Sequence, residues 1–266
     1  MPADNEVAVV TGAARGFGFE IARRLIGRGY TLLITDLDAA AVDDAVARLG
    51  PRAHGQAADA SDATAQRATA SAAAELRRLT VWVNNAGVAR AAKVWEHSDA
   101  KVEQMVRSNL LGVMHGSRAA IGAMRAAGGG QILNLASMSS FGPVPGIGVY
   151  AATKAGVLGF TTSMQGDLDV AGIPIRVHAL CPDAADTTMV RAMQHREDAA
   201  ILYSGSSLLE PGEVADAAME LLDSRRIVRS LPAWRAATMR AGAVAPTLGL
   251  PVMRAMRAYG ERRRPR

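Results

Sequence analysis

The chain reads as an α/β protein: one doubly wound parallel sheet with a basic C-terminal extension. Short apolar runs alternate strictly with longer helical patterns along the first 222 residues, which is the order of βαβ units. Most of the short runs are almost wholly aliphatic, as strands covered on both faces require. Glycine is abundant, at 26 residues, and aromatic residues make up only 4% of the chain, so the core has to be close-packed from small side chains.

The first strand is Val7–Thr11, and the first helix, Gly16–Gly27, follows a glycine-rich turn. Thr31–Thr35 is the second strand and Ala39–Leu49 the second helix. A polar stretch ending at Asp59 holds the third strand, and Ala63–Leu79 has a helical pattern. The strand Val81–Asn84, the long helix Lys101–Ala127 and the strand Gln131–Leu135 come next. Tyr150–Val170 is helical, Ile175–Leu180 a strand, and Pro211–Leu222 the last helix of the alternation. No linker or repeat divides this body, which is expected to form one domain over residues 1–230, with 231–266 as an extension.

Composition narrows the function classes. With 49% hydrophobic and 21% charged residues the chain is neither disordered nor collagen-like. Its one cysteine, Cys181, cannot form an internal disulfide, and the first apolar stretch is too short for a signal peptide and follows Asp4 and Glu6, so a cytoplasmic protein is expected. The net charge of +5 is unevenly distributed. From Arg225 onward there are eleven arginines against one acid, Glu261, whereas the preceding residues are net acidic. Nucleic-acid binding is therefore not expected of the body.

Thr11-Gly12-Ala13-Ala14-Arg15-Gly16-Phe17-Gly18 leaves a strand and enters a helix. Glycines there let the backbone turn tightly and approach a pyrophosphate, whose charge sits at the positive end of the helix. Asp36 closes the second strand, about twenty residues on, where a carboxylate accepts hydrogen bonds from an adenosine ribose. It also qualifies as an N-cap for the helix near Ala39. The same carboxylate would repel a 2′-phosphate and so favours NAD, whereas the Arg15 cation could pair with one, which keeps NADP in view.

Tyr150 and Lys154 are four residues apart at the start of a helix and share one face. An ammonium within ~4–6 Å of a phenol favours the phenolate, which makes such a pair a tunable acid and base. Ser137 closes the fifth strand, and Asn84-Asn85-Ala86-Gly87 closes the fourth, at the carboxyl ends where parallel sheets bind ligands.

On these motifs, together with Asp59, Asn109, and Pro182 with Thr187, residues Glu6 to Leu222 resemble the short-chain dehydrogenase/reductase family. Ser137 stands thirteen residues before Tyr150, a spacing typical of that family. The resemblance implies a Rossmann-like fold and an NAD- or NADP-dependent alcohol dehydrogenase or carbonyl reductase, working as a homodimer or homotetramer, with no metal. It implies a catalytic set of Asn109, Ser137, Tyr150 and Lys154: Tyr150 exchanges the proton, Lys154 lowers its pKa and holds the nicotinamide ribose, Ser137 bonds the substrate oxygen, and Asn109 anchors a water. The cofactor is implied to rest on Gly12, Arg15, Gly16, Phe17, Gly18, Asp36, Asp59, Asn85, Gly87, Tyr150, Lys154, Pro182 and Thr187. Asp59 also fits a turn or a helix cap. The family usually carries glycine after the proline, where this chain has Asp183.

Between Pro182 and Glu210 stand Met189, Met193, Ile201, Leu202, Leu208 and Leu209, with Phe141 and Val144 ahead of them. An apolar lid of this kind points to a lipophilic secondary alcohol or ketone, steroid-, retinoid- or fatty-like. In the tail Arg235, Arg240, Arg254 and Arg257 interleave with Met239, Val244, Leu248, Leu250, Val252, Met253 and Met256, interrupted by Pro246 and Pro251. That segment suits either packing on the body or on a dimer partner, or peripheral contact with an anionic membrane. The alternative to an enzyme is a non-catalytic NAD(P)-binding protein acting through membrane or protein contacts, and the intact Asn109, Ser137, Tyr150 and Lys154 set argues against it.

Overall fold

A computed structural model describes residues 5–265; Asp4, ahead of the first strand, and Arg266, at the end of the basic run, lie outside them. Among the described residues seven parallel strands form one sheet in the order β3-β2-β1-β4-β5-β6-β7. The strands are β1 (Glu6–Thr11), β2 (Thr31–Asp36), β3 (Ala53–Ala57), β4 (Arg78–Asn84), β5 (Gly130–Leu135), β6 (Ile175–Pro182) and β7 (Val228–Leu231). The chain winds outward from β1 to β3 and then returns past β1 to β4, so the carboxyl ends of β1 and β4 flank the crevice where the winding reverses.

The helices are α1 (Gly16–Gly27), α2 (Ala39–Leu49), α3 (Ala63–Leu76), α4 (Asp99–Val106), α5 (Gly112–Ala126), α6 (Gly148–Val170), α7 (Thr188–Arg191), α8 (Pro211–Leu222), α9 (Ala233–Val244) and α10 (Pro246–Arg263). Alternation along β1 shows how the sheet is covered. Ala8 and Val10 pack with Ile21 and Leu25 of α1, Val42 of α2 and Leu221 of α8 on one face. Val7 and Val9 pack with Ala73 of α3, Met124 of α5 and Leu168 of α6 on the other.

Four local differences from the sequence reading have physical reasons. The helix expected to run to Leu79 stops at Leu76, because Leu79 is buried in β4 opposite Val7. The long helix expected over 101–127 holds a wide turn at Arg107–Leu111, which joins α4 to α5. Pro246 is tolerated in the first turn of α10, where a missing N–H costs nothing, and the helix continues through Pro251. The seventh strand was not expected; Val228–Leu231 is short, half-polar and at the sheet edge, so no apolar run announces it.

A buried polar chain lies beneath the centre of the sheet. Trp82 Nε1–H donates to Asn84 Oδ1 at 2.7 Å, Asn84 Nδ2 donates to Asn134 Oδ1 at 2.8 Å, and Asn134 Nδ2 donates to Thr161 Oγ1 at 2.9 Å. Each link answers a group that has no water to turn to. Asn134→Ala, which orphans one donor and one acceptor, is expected to cost about 2 kcal/mol, read as a lower urea midpoint at unchanged slope.

Candidate active site

A cavity of about 770 Å³ opens at the carboxyl ends of the strands, from Asp36 at one end to Met253 at the other. The glycine turn forms its floor. Gly12 (φ +63°) and Gly16 (φ +60°) occupy the left-handed region, and a Cβ on Gly12 would stand 2.7 Å from Ala86 Cα. The turn is braced from the fourth strand: Asn85 Nδ2 donates to the carbonyls of Thr11 (3.0 Å) and Gly12 (2.7 Å), and the N–H groups of Asn85 and Ala86 donate to Thr11 Oγ1. Gly18 serves this brace and does not line the cavity, since a Cβ there would meet Asn85 Nδ2 and Gly12 O at 2.5 Å. Arg15 and Phe17 do line it, beside the amino end of α1.

Asp36 lines the cavity and is not the cap of α2; Asp38 is, accepting from Ala41 N–H at 3.2 Å. The Asp36 carboxylate accepts from Ala14 N–H at 3.2 Å and Leu37 N–H at 2.8 Å, so it is held in place at the cavity edge. Asp59 also lines the cavity and shapes its own turn by accepting from Ser61 N–H at 2.8 Å, while Asp62 caps α3. A glycine cradle at a helix amino end, with a fixed carboxylate at the end of the next strand, fits a dinucleotide.

At the centre Ser137, Tyr150 and Lys154 face the same cavity. Ser137 leaves β5 as the cap of the short 3-10 turn Met138–Phe141, its Oγ accepting from Ser139 N–H at 3.1 Å. Tyr150 and Lys154 lie one turn apart on α6, with Lys154 Nζ 5.8 Å from the Tyr150 ring centre. Lys154 is 5% exposed and its Nζ donates to Leu135 O at 2.6 Å. The expectation that the ammonium lowers the phenol pKa does not hold in this arrangement. Burial pushes Tyr150 up to about 12, with the Ser137 hydroxyl opposing, and pushes Lys154 down to about 8. Desolvation penalises the charged form of each group.

Asn109 is brought behind the wall, not onto it. It sits in the wide turn before α5, wholly buried; its Oδ1 accepts from Val88 N–H at 2.7 Å and its Nδ2 donates to Val88 O (2.8 Å) and Thr153 Oγ1 (3.1 Å). Its amide thereby ties the loop after Gly87 to the helix turn that carries Tyr150 and Lys154. Gly87 lines the cavity between them, and a Cβ there would be 3.0 Å from Asn109 Oδ1 and 3.7 Å from Lys154 Nζ. Pro182 and Thr187 line the far side, Thr187 capping α7 through Val190 N–H at 3.3 Å.

Of the expected lid residues, Val144, Met189, Met193, Ile201 and Leu202 line the cavity; Phe141, Leu208 and Leu209 do not. Phe141 is buried under Arg240, whose guanidinium carbon lies 4.1 Å from the ring centre. The sequence reading missed Arg235, Met239, Met253 and Met256, which come from α9 and α10 and form part of the cavity wall. Their alternation of arginine and methionine was visible, but nothing local says what the methionines face.

Fold and site together define a dinucleotide-binding oxidoreductase, with Ser137, Tyr150 and Lys154 gathered on one cavity. Comparison with known proteins makes this specific: residues 6–198 match the family model described as short chain dehydrogenase, and the chain belongs to that family. It is 35% identical to galactitol 2-dehydrogenase (L-tagatose-forming) of Cereibacter sphaeroides, over 82% of this chain and 88% of that one. With the 3-oxoacyl-[acyl-carrier-protein] reductase of Vibrio harveyi it shares 32% identity over 83% and 91% of the two chains. A short-chain dehydrogenase/reductase from Burkholderia phymatum, solved in complex with NAD, superposes with a TM-score of 0.83 at 28% identity, covering 90% of this chain and 93% of that one.

Proposed function

We propose that the enzyme transfers hydride reversibly between NAD and an apolar secondary alcohol or ketone. The carrying observation is the convergence of Ser137, Tyr150 and Lys154 on a cavity whose wall carries Met189, Met193, Ile201, Leu202, Met239, Met253 and Met256 beside the charged Asp183, Arg196 and Arg235. NAD, when bound, supplies the hydride acceptor or donor. Tyr150 Oη takes the alcohol proton in oxidation and returns it in reduction, Ser137 Oγ hydrogen-bonds the substrate oxygen, and Lys154 sets the charge around the phenol. Asn109 acts as a positioning residue through Val88 and Thr153. Initial rates with NAD and NADH on secondary alcohols and ketones graded in chain length test the reading; turnover confined to polyols would overturn it, a real alternative since one relative is named for a sugar alcohol.

Preference for NAD is supported by the fixed Asp36 carboxylate, which a 2′-phosphate would have to approach. Fluorescence titration is expected to give NADH a Kd at least ~10-fold below that of NADPH, and Asp36→Ser to close most of the gap, a change of about 1.4 kcal/mol. Equal wild-type affinities would assign Arg15 the deciding role. Among the described residues no helix is long and apolar enough to cross a membrane. Val244 (88% exposed) and Leu248 (74%), at the turn between α9 and α10, support peripheral contact with an anionic membrane, which co-sedimentation with phosphatidylserine vesicles tests.

A further inference from the structure

Four arginines of the tail, Arg235, Arg257, Arg263 and Arg264, reach one partner, the segment between β6 and α8 that lines the outer cavity. Arg235 of α9, only 6% exposed, places Nε 2.9 Å from Asp183 Oδ2 and donates from Nη2 to Ser204 Oγ at 2.6 Å. Arg263 donates to the carbonyls of Gly205 and Ser206, both at 2.6 Å, and Arg264 to that of Gln194 at 2.9 Å. Arg257 stands 3.5 Å from Asp198. Gly260 lets α10 lie flush on this segment, since a Cβ there would collide with the carbonyl of Ala200. The fastened elements jointly line the cavity, with Met239, Met253 and Met256 from α9 and α10 facing Met193, Ile201 and Leu202 from the covering segment.

Two peculiarities of this chain therefore answer each other. Asp183 stands where the family usually has glycine, and the residue that neutralises it belongs to an extension beyond the stretch that carries the family resemblance. Asp183 is partly buried, and the charge of Arg235 beside it offsets part of the cost of desolvating its carboxylate. Asp183 also donates its N–H to Leu231 O at 2.8 Å, directly ahead of α9, so loop and helix start are joined at two points.

We propose that α9 and α10 form a latched wall of the substrate cavity: the Asp183–Arg235 pair is the latch, and Met239 and Met253 set the length of apolar substrate accepted. The length-setting role rests on the reading of the substrate as an apolar alcohol or ketone; the latch does not. Arg235 and Asp183 are positioning residues in this scheme.

The test uses the full chain and two readouts. Hydrogen exchange over residues 188–209, measured without substrate, is expected to quicken at least ~10-fold in Arg235→Met, and no further when Asp183→Asn is added, because one pair is broken either way. Should Arg235→Met not fold, Asp183→Asn alone breaks the same pair. Unchanged exchange overturns the latch. In the second readout, Met253→Ala and Met239→Ala are expected to move the best kcat/KM to ketones longer by two or more carbons, with NADH affinity unchanged. An active enzyme with unmoved profiles overturns the length-setting role alone. A wild type that turns over none of the ketones overturns that role together with the substrate reading, while the exchange result still decides the latch.

Discussion

Replacing Tyr150 by phenylalanine is expected to leave a folded enzyme that binds NADH as the wild type does and turns over at least ~10²-fold more slowly, the loss typical when a positioned acid and base is removed. The ring stays, so the packing of α6 against the cavity is kept; the proton carrier alone is lost. The wild-type pH profile carries the same assignment. With burial holding the phenol up at about 12, its protonated form persists through neutral pH. Ketone reduction, which needs the acid, is expected to be flat between pH 6 and 8, whereas alcohol oxidation, which needs the phenolate, rises toward tenfold per pH unit until the pH approaches the phenol pKa. Tyr150→Phe abolishes that rise. Wild-type rates in the variant would remove Tyr150 from the mechanism.

Lys154→Met is expected to separate stability from activity. The lysine is buried, with one carbonyl partner and no acid beside it, and its pKa falls from 10.5 to about 8. Because the folded state disfavours the ammonium, the unfolded chain binds more protons between those values. The penalty is therefore complete below about pH 8 and is relieved as pH rises toward 10.5. Removing the charge is expected to raise stability at pH 7 by on the order of 2–3 kcal/mol, read by urea unfolding without added NAD, and to flatten the slope between pH 8 and 10. Turnover is expected to fall at least ~10²-fold at the same time, since no cation remains near the phenol. A variant that is both less stable and as active as the wild type would assign Lys154 to packing. The costly lysine is a local sacrifice of stability of the kind that catalytic sites sustain.

Much of this architecture was legible in the chain because the interactions behind it are local. Gly12, Gly16 and the strand before them need only their own neighbours to make a phosphate turn, and Tyr150 and Lys154 share a face because any helix brings residues four apart together. Aliphatic runs at strand length announce a sheet covered on both sides, and the small-residue composition says how closely the helices lie on it. Even the decision between Asp36 as ligand or cap turned on neighbours two residues away, where Asp38 takes the cap and leaves Asp36 to the cavity.

Charge was the part that pattern reading could not place. An excess of arginine after Arg225 is plain in the sequence, but its meaning depends on carbonyls of Gln194, Gly205 and Ser206 and on the acids Asp183 and Asp198, which only packing brings within reach. The protonation of the site has the same origin. Spacing alone predicts that Lys154 assists Tyr150 by charge, yet desolvation depends on what surrounds both groups, and burial here raises one pKa and lowers the other. Sequence order therefore settles the fold class, the cofactor turn and the catalytic spacing, which arise from contacts between near neighbours. Burial and long-range pairing, which arise only when distant segments meet, decide the electrostatics of the site and the composition of its substrate wall.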